Sequence, residues 1–113
     1  MSAFDISVLE SIVEDDIEMA KVILETFLED MPNQISSLDD AIKTKSYDIA
    51  TRVAHTIKGA ASNVGAEKLR AIAQDAEYAG KNGDFAAVET LTPKISLAFQ
   101  EFKAALAQTK YQP

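Results

Sequence analysis

The 113-residue chain is predicted to be all-α: an antiparallel up-down-up-down four-helix bundle with a short additional helix at its N-terminus. Three observations predict this. Apolar residues recur three and four positions apart through nearly the whole sequence, and no alternating strand pattern bounded by turn signals occurs. The breaks between periodic segments are short, which makes successive long helices antiparallel neighbours. A chain of 113 residues, 47% of them apolar, can bury one continuous core but not two, so residues 1–113 are expected to form a single domain.

The first helix spans roughly Phe4 to Val13, ends near the acidic run Glu14 to Asp16, and is expected to pack across one end of the bundle. Asp15 followed by Glu18 has capping-box spacing and opens the long second helix. Along that helix Ile17, Ala20, Leu24, Phe27, Met31, Ile35, Leu38 and Ile42 fall on one face. Pro32 lies within it and removes one hydrogen bond. Because the apolar phase continues past the proline, a kink is expected, with a break as the alternative. After the loop at Thr44 to Ser46, a third helix runs from about Tyr47 to Val64, and Gly65 suits the left-handed position that ends it. The fourth helix uses Leu69, Ile72, Ala73 and Ala76 and stops at Gly80 to Asp84, where the Asn82-Gly83 pair favours left-handed backbone. Asp84 caps the last helix, which is expected to bury Phe85, Val88, Leu91, Ile95, Phe99 and Phe102 and to bend near Pro93.

Composition narrows the function. There is no cysteine, which rules out disulfides and thiolate metal sites. No basic leader precedes a long apolar run, and no stretch of about 18 uninterrupted apolar residues occurs, so a cytoplasmic location is the default. A net charge of −7 disfavours nucleic-acid and anionic-membrane partners, which require clustered Lys and Arg. The charge is unevenly distributed: residues 5–40 carry eleven acids against Lys21 alone, whereas residues 43–70 carry six bases against Asp48 and Glu67. Either this is a fluctuation on solvated faces or the basic stretch, which holds the only histidine, has a purpose. A bundle of this size is expected to be monomeric.

At about 100° per residue, Asp48, Thr51, Arg52, Lys58, Gly59 and Ser62 all fall within about 60° of His55. Ile49, Ala50, Val53, Ile57, Ala60, Ala61 and Val64 occupy the opposite side. The imidazole therefore faces solvent. Gly59 costs its helix about 1 kcal/mol relative to alanine, on a face where the protein's own core makes no demand for a missing side chain. Removing Cβ one turn from the ring clears room for something large to approach. Lys58 can bring a mobile ammonium to an anion held on the ring, and Ser62 can add a hydroxyl further along. Neutral imidazole is a competent nitrogen nucleophile, and phosphoryl transfer asks mainly for positioning and charge balance. The trio His55, Lys58 and Gly59 thus suits a histidine that carries a phosphoryl group in contact with a second protein.

Other chemistry is poorly supported. Metal sites in bundles need several converging His or carboxylate ligands, and the position three before His55 is Arg52. Neither a nucleophile elbow nor a phosphate-binding loop is present. A bundle adaptor that binds partners without being phosphorylated is the competing reading, and Gly59 beside His55 and Lys58 argues against it.

The stretch "AHTIKGAASNVGAEKL" resembles the signature of histidine-containing phosphotransfer (HPt) domains, matching it at Ala54, His55, Lys58, Gly59, Ser62, Gly65, Ala66 and Leu69. The resemblance implies that Nε2 of His55 accepts a phosphoryl group from a receiver-domain aspartate, of a hybrid sensor kinase or a response regulator, and passes it to another receiver. It implies that Lys58 assists electrostatically and that Gly59 gives access. It implies no cofactor and no kinase activity of the chain's own, with Mg2+ held by the receiver's acidic pocket. Glu77 stands where such domains place a polar residue supporting the other ring nitrogen, although an ordinary exposed helix residue would fit that position equally well. Docking is expected to use exposed apolar residues of the first two helices, among Ile6, Val13, Ile17 and Met19, with the basic residues beside His55, including Arg52.

Overall fold

The computed structural model describes residues 1–113 and is entirely helical: α1 (Ile6–Val13), α2 (Ile17–Lys43), α3 (Tyr47–Val64), α4 (Glu67–Lys81) and α5 (Phe85–Leu106). Connections of two or three residues join the four longer helices. Helix α2 packs on α3, α3 on α4 and α4 on α5, while α5 also meets α2 and α1 rests on α2 and α3. One apolar cluster runs through all five helices and takes in Tyr111 beyond the last of them. No helix is long and apolar enough to cross a membrane.

The helix ends follow from their caps, with corrections to the sequence-based boundaries. Helix α2 is capped by Asp16 rather than Asp15: the Asp16 carboxylate accepts from the Met19 amide, so the Asp15–Glu18 box is out of register by one residue. Asp5 caps α1 in the same way, and Phe4 lies outside the helix, edge-on against Phe102. Helix α2 continues unbroken through Pro32, which is exposed; α5 likewise continues through Pro93. An exposed proline ring displaces no packing partner. The boundaries of α3 agree with expectation, and Gly65 ends it at φ 75°, in the left-handed region. A side chain at that position would also strike the Asp5 carbonyl, because the N-terminal segment closes over this turn with the Asp5 amide donating to the Gly65 carbonyl at 2.7 Å.

Phe85 is the clearest departure in burial. It is 41% exposed and stacks on Tyr47 of α3, ring centroids 4.2 Å apart, instead of entering the core. As the first residue of α5 it lies at the end of the bundle, where too little protein remains beyond it to close over the ring. Ile49, assigned to the buried side of α3, is also exposed, near the same end. Phe27, Phe99 and Phe102 meet edge to face in the interior, as their spacing predicts.

Candidate functional site

Helices α3 and α4 run antiparallel and pack against each other. Gly80 permits this approach: a Cβ there would collide with the Thr51 side chain, so a larger residue requires that side chain or the helices to shift. Thr51 lies one turn before His55, and Gly80 lies nearly one turn after Glu77. The close crossing therefore brings the second pair face to face. His55 Nδ1 stands 2.7 Å from Glu77 Oε2, Lys58 Nζ stands 2.6 Å from Oε1, and Lys81 Nζ reaches Oε2 at 3.1 Å. All three nitrogens converge on one carboxylate.

Glu77 is only 5% exposed and is the only charged residue among the buried ones. Burial by itself pushes its carboxyl up. Hydrogen bonds from Lys58, then Lys81, then His55 outweigh that effect and hold it at about 2 instead of 4.5. The reading of Glu77 as an ordinary exposed residue is thereby overturned. An ionised carboxylate only accepts hydrogen bonds, so the ring nitrogen facing it must carry the hydrogen. In the neutral ring the lone pair then sits on Nε2, and the His55 side chain is 65% exposed.

The two flanks of His55 differ. On the α4 side lies the Glu77 network, with two hollows around it lined mainly by polar and charged residues. One, about 520 Å³, includes Lys58, Ser62, Arg70, Asp75 and Glu77. The other, about 480 Å³, is bordered by Thr51, Arg52, His55, Thr56, Glu77 and Lys81. On the α2 side lies Gly59, where an added Cβ would meet nothing within 4 Å. The glycine therefore answers no packing requirement of the fold. Its neighbour Ala60 begins an apolar groove of about 410 Å³ between α2 and α3 that includes Val22, Ile23, Thr26 and Phe27.

Among the residues singled out from the sequence, His55, Lys58 and Glu77 are in direct contact as a group, and Arg52 borders the ring's own hollow. Ser62 is not brought to the ring: its hydroxyl donates to the Lys58 carbonyl of its own helix at 2.9 Å and faces the hollow beyond Lys58. Lys58 is not free either, since Glu77 holds it. Of the four apolar docking candidates, Val13 is core, Ile6 is half-buried, and Ile17 and Met19 are exposed. Sequence reasoning missed Lys81, although its i,i+4 spacing from Glu77 was the available signal. It also missed Val22, at 62% exposure the most open apolar side chain of α2. No three His, Asp or Glu side chains come together as metal ligands do.

The Hpt domain family matches residues 22–110 of the chain. Among solved structures, the crystal structure of histidine-containing phosphotransfer protein B (HptB) from Pseudomonas aeruginosa PAO1 is similar. Its TM-score is 0.87 at 25% sequence identity, covering 94% of this chain and 92% of that one. No curated protein matches the sequence.

Proposed function

Because the chain belongs to the Hpt domain family of histidine phosphotransfer carriers in two-component signalling, we propose that it is a phosphorelay carrier whose phosphoryl acceptor is His55. The observation that carries this reading is the contact of Nδ1 with a buried, ionised Glu77, which leaves a bare Nε2 on an exposed ring. The Nε2 lone pair attacks phosphorus of a receiver's aspartyl phosphate, and the P–O bond to that aspartate breaks with its electron pair staying on the aspartate carboxylate. No proton has to leave: Nδ1 keeps its hydrogen, and Glu77 balances the positive charge that the ring acquires. The reverse step, to another receiver, needs the same arrangement. Lys58 supplies positive charge to the phosphoryl oxygens, and Gly59 leaves the shoulder of the ring open for the receiver.

The receiver is proposed to approach from the α2 flank, over Gly59 and the groove at Val22 and Ala60. An up-down-up-down course of α2 to α5, which their short connections favour, presents this face as one continuous surface. Mg2+ is assigned to the acidic pocket of the receiver, and the chain to a cytoplasmic monomer without kinase activity of its own.

Incubating the protein with a phosphorylated receiver domain, or with a hybrid kinase and labelled ATP, tests the reading. Acid-labile, alkali-stable label is expected on the wild type and absent from His55→Gln. Label surviving that substitution, or none on the wild type across a broad panel of receivers, would leave the unphosphorylated adaptor as the better account.

A further inference from the structure

Glu77 has more cations than it needs. One ammonium neutralises one carboxylate, yet Lys58 takes Oε1 and Lys81 takes Oε2, the oxygen that also receives the His55 N–H. The two lysines are not equivalent. Lys58 belongs to α3, one turn from the histidine and on its face, and is 29% exposed. Lys81 belongs to α4, one turn beyond Glu77, and is 65% exposed.

If His55 is phosphorylated, the ring separates two anions: Glu77 on the Nδ1 edge and the phosphoryl group beyond Nε2. An ammonium that follows the phosphoryl group gives up Oε1. On the reading of His55 as phosphoryl acceptor, we propose that Lys81 is a positioning residue, which holds the Glu77 carboxylate, and through it the Nδ1–H ring, while Lys58 moves to the phosphoryl group.

The chemistry explains why such a holder matters. Without any cation, a carboxyl this deeply buried favours its protonated form. A protonated Glu77 donates to Nδ1 instead of accepting from it, which places the ring hydrogen on Nε2 and removes the nucleophile. The remaining charged groups around Glu77 do not substitute for Lys81. Arg70 of α4 is engaged with Glu67 and Gln74, Asp75 of α4 has the wrong sign, and the Arg52 side chain of α3 makes no contact with the carboxylate.

Two measurements on the intact chain test this: transfer rate from a phosphorylated receiver as a function of pH, and the 15N shifts of the His55 ring, which report its tautomer. Lys81→Ala is expected to slow transfer roughly two- to fivefold, the scale of an exposed ion pair, with the acid limb of its pH profile displaced to higher pH. Lys81→Arg should restore both. In the unphosphorylated protein Lys58 still covers Glu77, so the ring spectrum of Lys81→Ala should stay near that of the wild type. In the Lys58→Ala background, removing Lys81 should drive the ring toward the Nε2–H tautomer as pH falls. A Lys81→Ala protein with wild-type transfer at every pH overturns the proposal, as does a double variant whose ring spectrum matches that of Lys58→Ala. Failure of the underlying carrier reading looks different, because the wild type itself would then take no label on His55.

Discussion

At the scale of single residues, Glu77 joins stability to function. Its carboxyl ionises at about 2 in the folded chain against 4.5 for the free group. A depressed value means that the ionised form favours folding: the contribution is complete above about pH 4.5 and is lost as the pH falls toward 2. Glu77→Gln lacks this dependence. Denaturant unfolding across that window should show the wild type losing stability more steeply than Glu77→Gln, and parallel curves would mean that the network contributes nothing to folding. Lys58 acts on the reaction more than on the fold, being partly exposed and held by a carboxylate that Lys81 also holds. Lys58→Ala is expected to slow transfer roughly tenfold or more, the scale of a lost charge-assisted hydrogen bond, while circular dichroism shows an unchanged helix content.

At the scale of elements, the geometry of the site belongs to the α3–α4 pair, and two glycines act on it in opposite ways. Gly59 is open to solvent, and its replacement meets no neighbour. Gly59→Gln should therefore stabilise α3 by up to about 1 kcal/mol through helix propensity and still reduce transfer, because the side chain fills the space beside the ring. Thermal unfolding and transfer rates moving in opposite directions are the expected signature; unchanged transfer would show that the shoulder is not used. Gly80 is the reverse case. Helix propensity alone would reward Gly80→Ala by about the same 1 kcal/mol, but overpacking against Thr51 costs typically 1–3 kcal/mol. The collision prevails, so a net loss of stability is expected, together with slower transfer as His55 and Glu77 are pushed apart. Thr51→Ala in the same chain should recover part of both, and equal unfolding midpoints for wild type and Gly80→Ala would show that the helices can separate without penalty.

At the scale of the whole molecule, His55 stands on a ridge with a charged network on one side and an apolar groove on the other. The groove is where a protein partner can bury area, and Val22 is its most exposed apolar side chain. Val22→Glu is expected to weaken receiver binding tenfold or more, on the order of 1.4 kcal/mol or above, with the unfolding midpoint unchanged because the side chain is not part of the core. Titration calorimetry against a receiver that accepts phosphate from the wild type measures this. Undiminished affinity would move the docking face to the α4 flank.

Helix number and order were legible in the amino-acid order, as were the ends of α3 and the exposure of His55, because each depends on local periodicity, caps and turn residues. Where a single residue decided a boundary, as Asp16 did over Asp15, periodicity was too coarse, since either acid can precede the same apolar stripe. The exposure of Phe85 could not be read locally, because a helical stripe does not reveal how far the neighbouring helices extend past it.

The sequence by itself determined that one solvent-facing histidine has a lysine and a missing side chain beside it, all within five residues of one helix. Only the tertiary structure decided what lies against the ring's other nitrogen. Glu77 is 22 positions away, and its meeting with His55, Lys58 and Lys81 depends on how closely two helices approach. The approach as it stands leaves no space for a Cβ at Gly80 beside Thr51, a contact between residues whose separation along the chain carries no periodic signal.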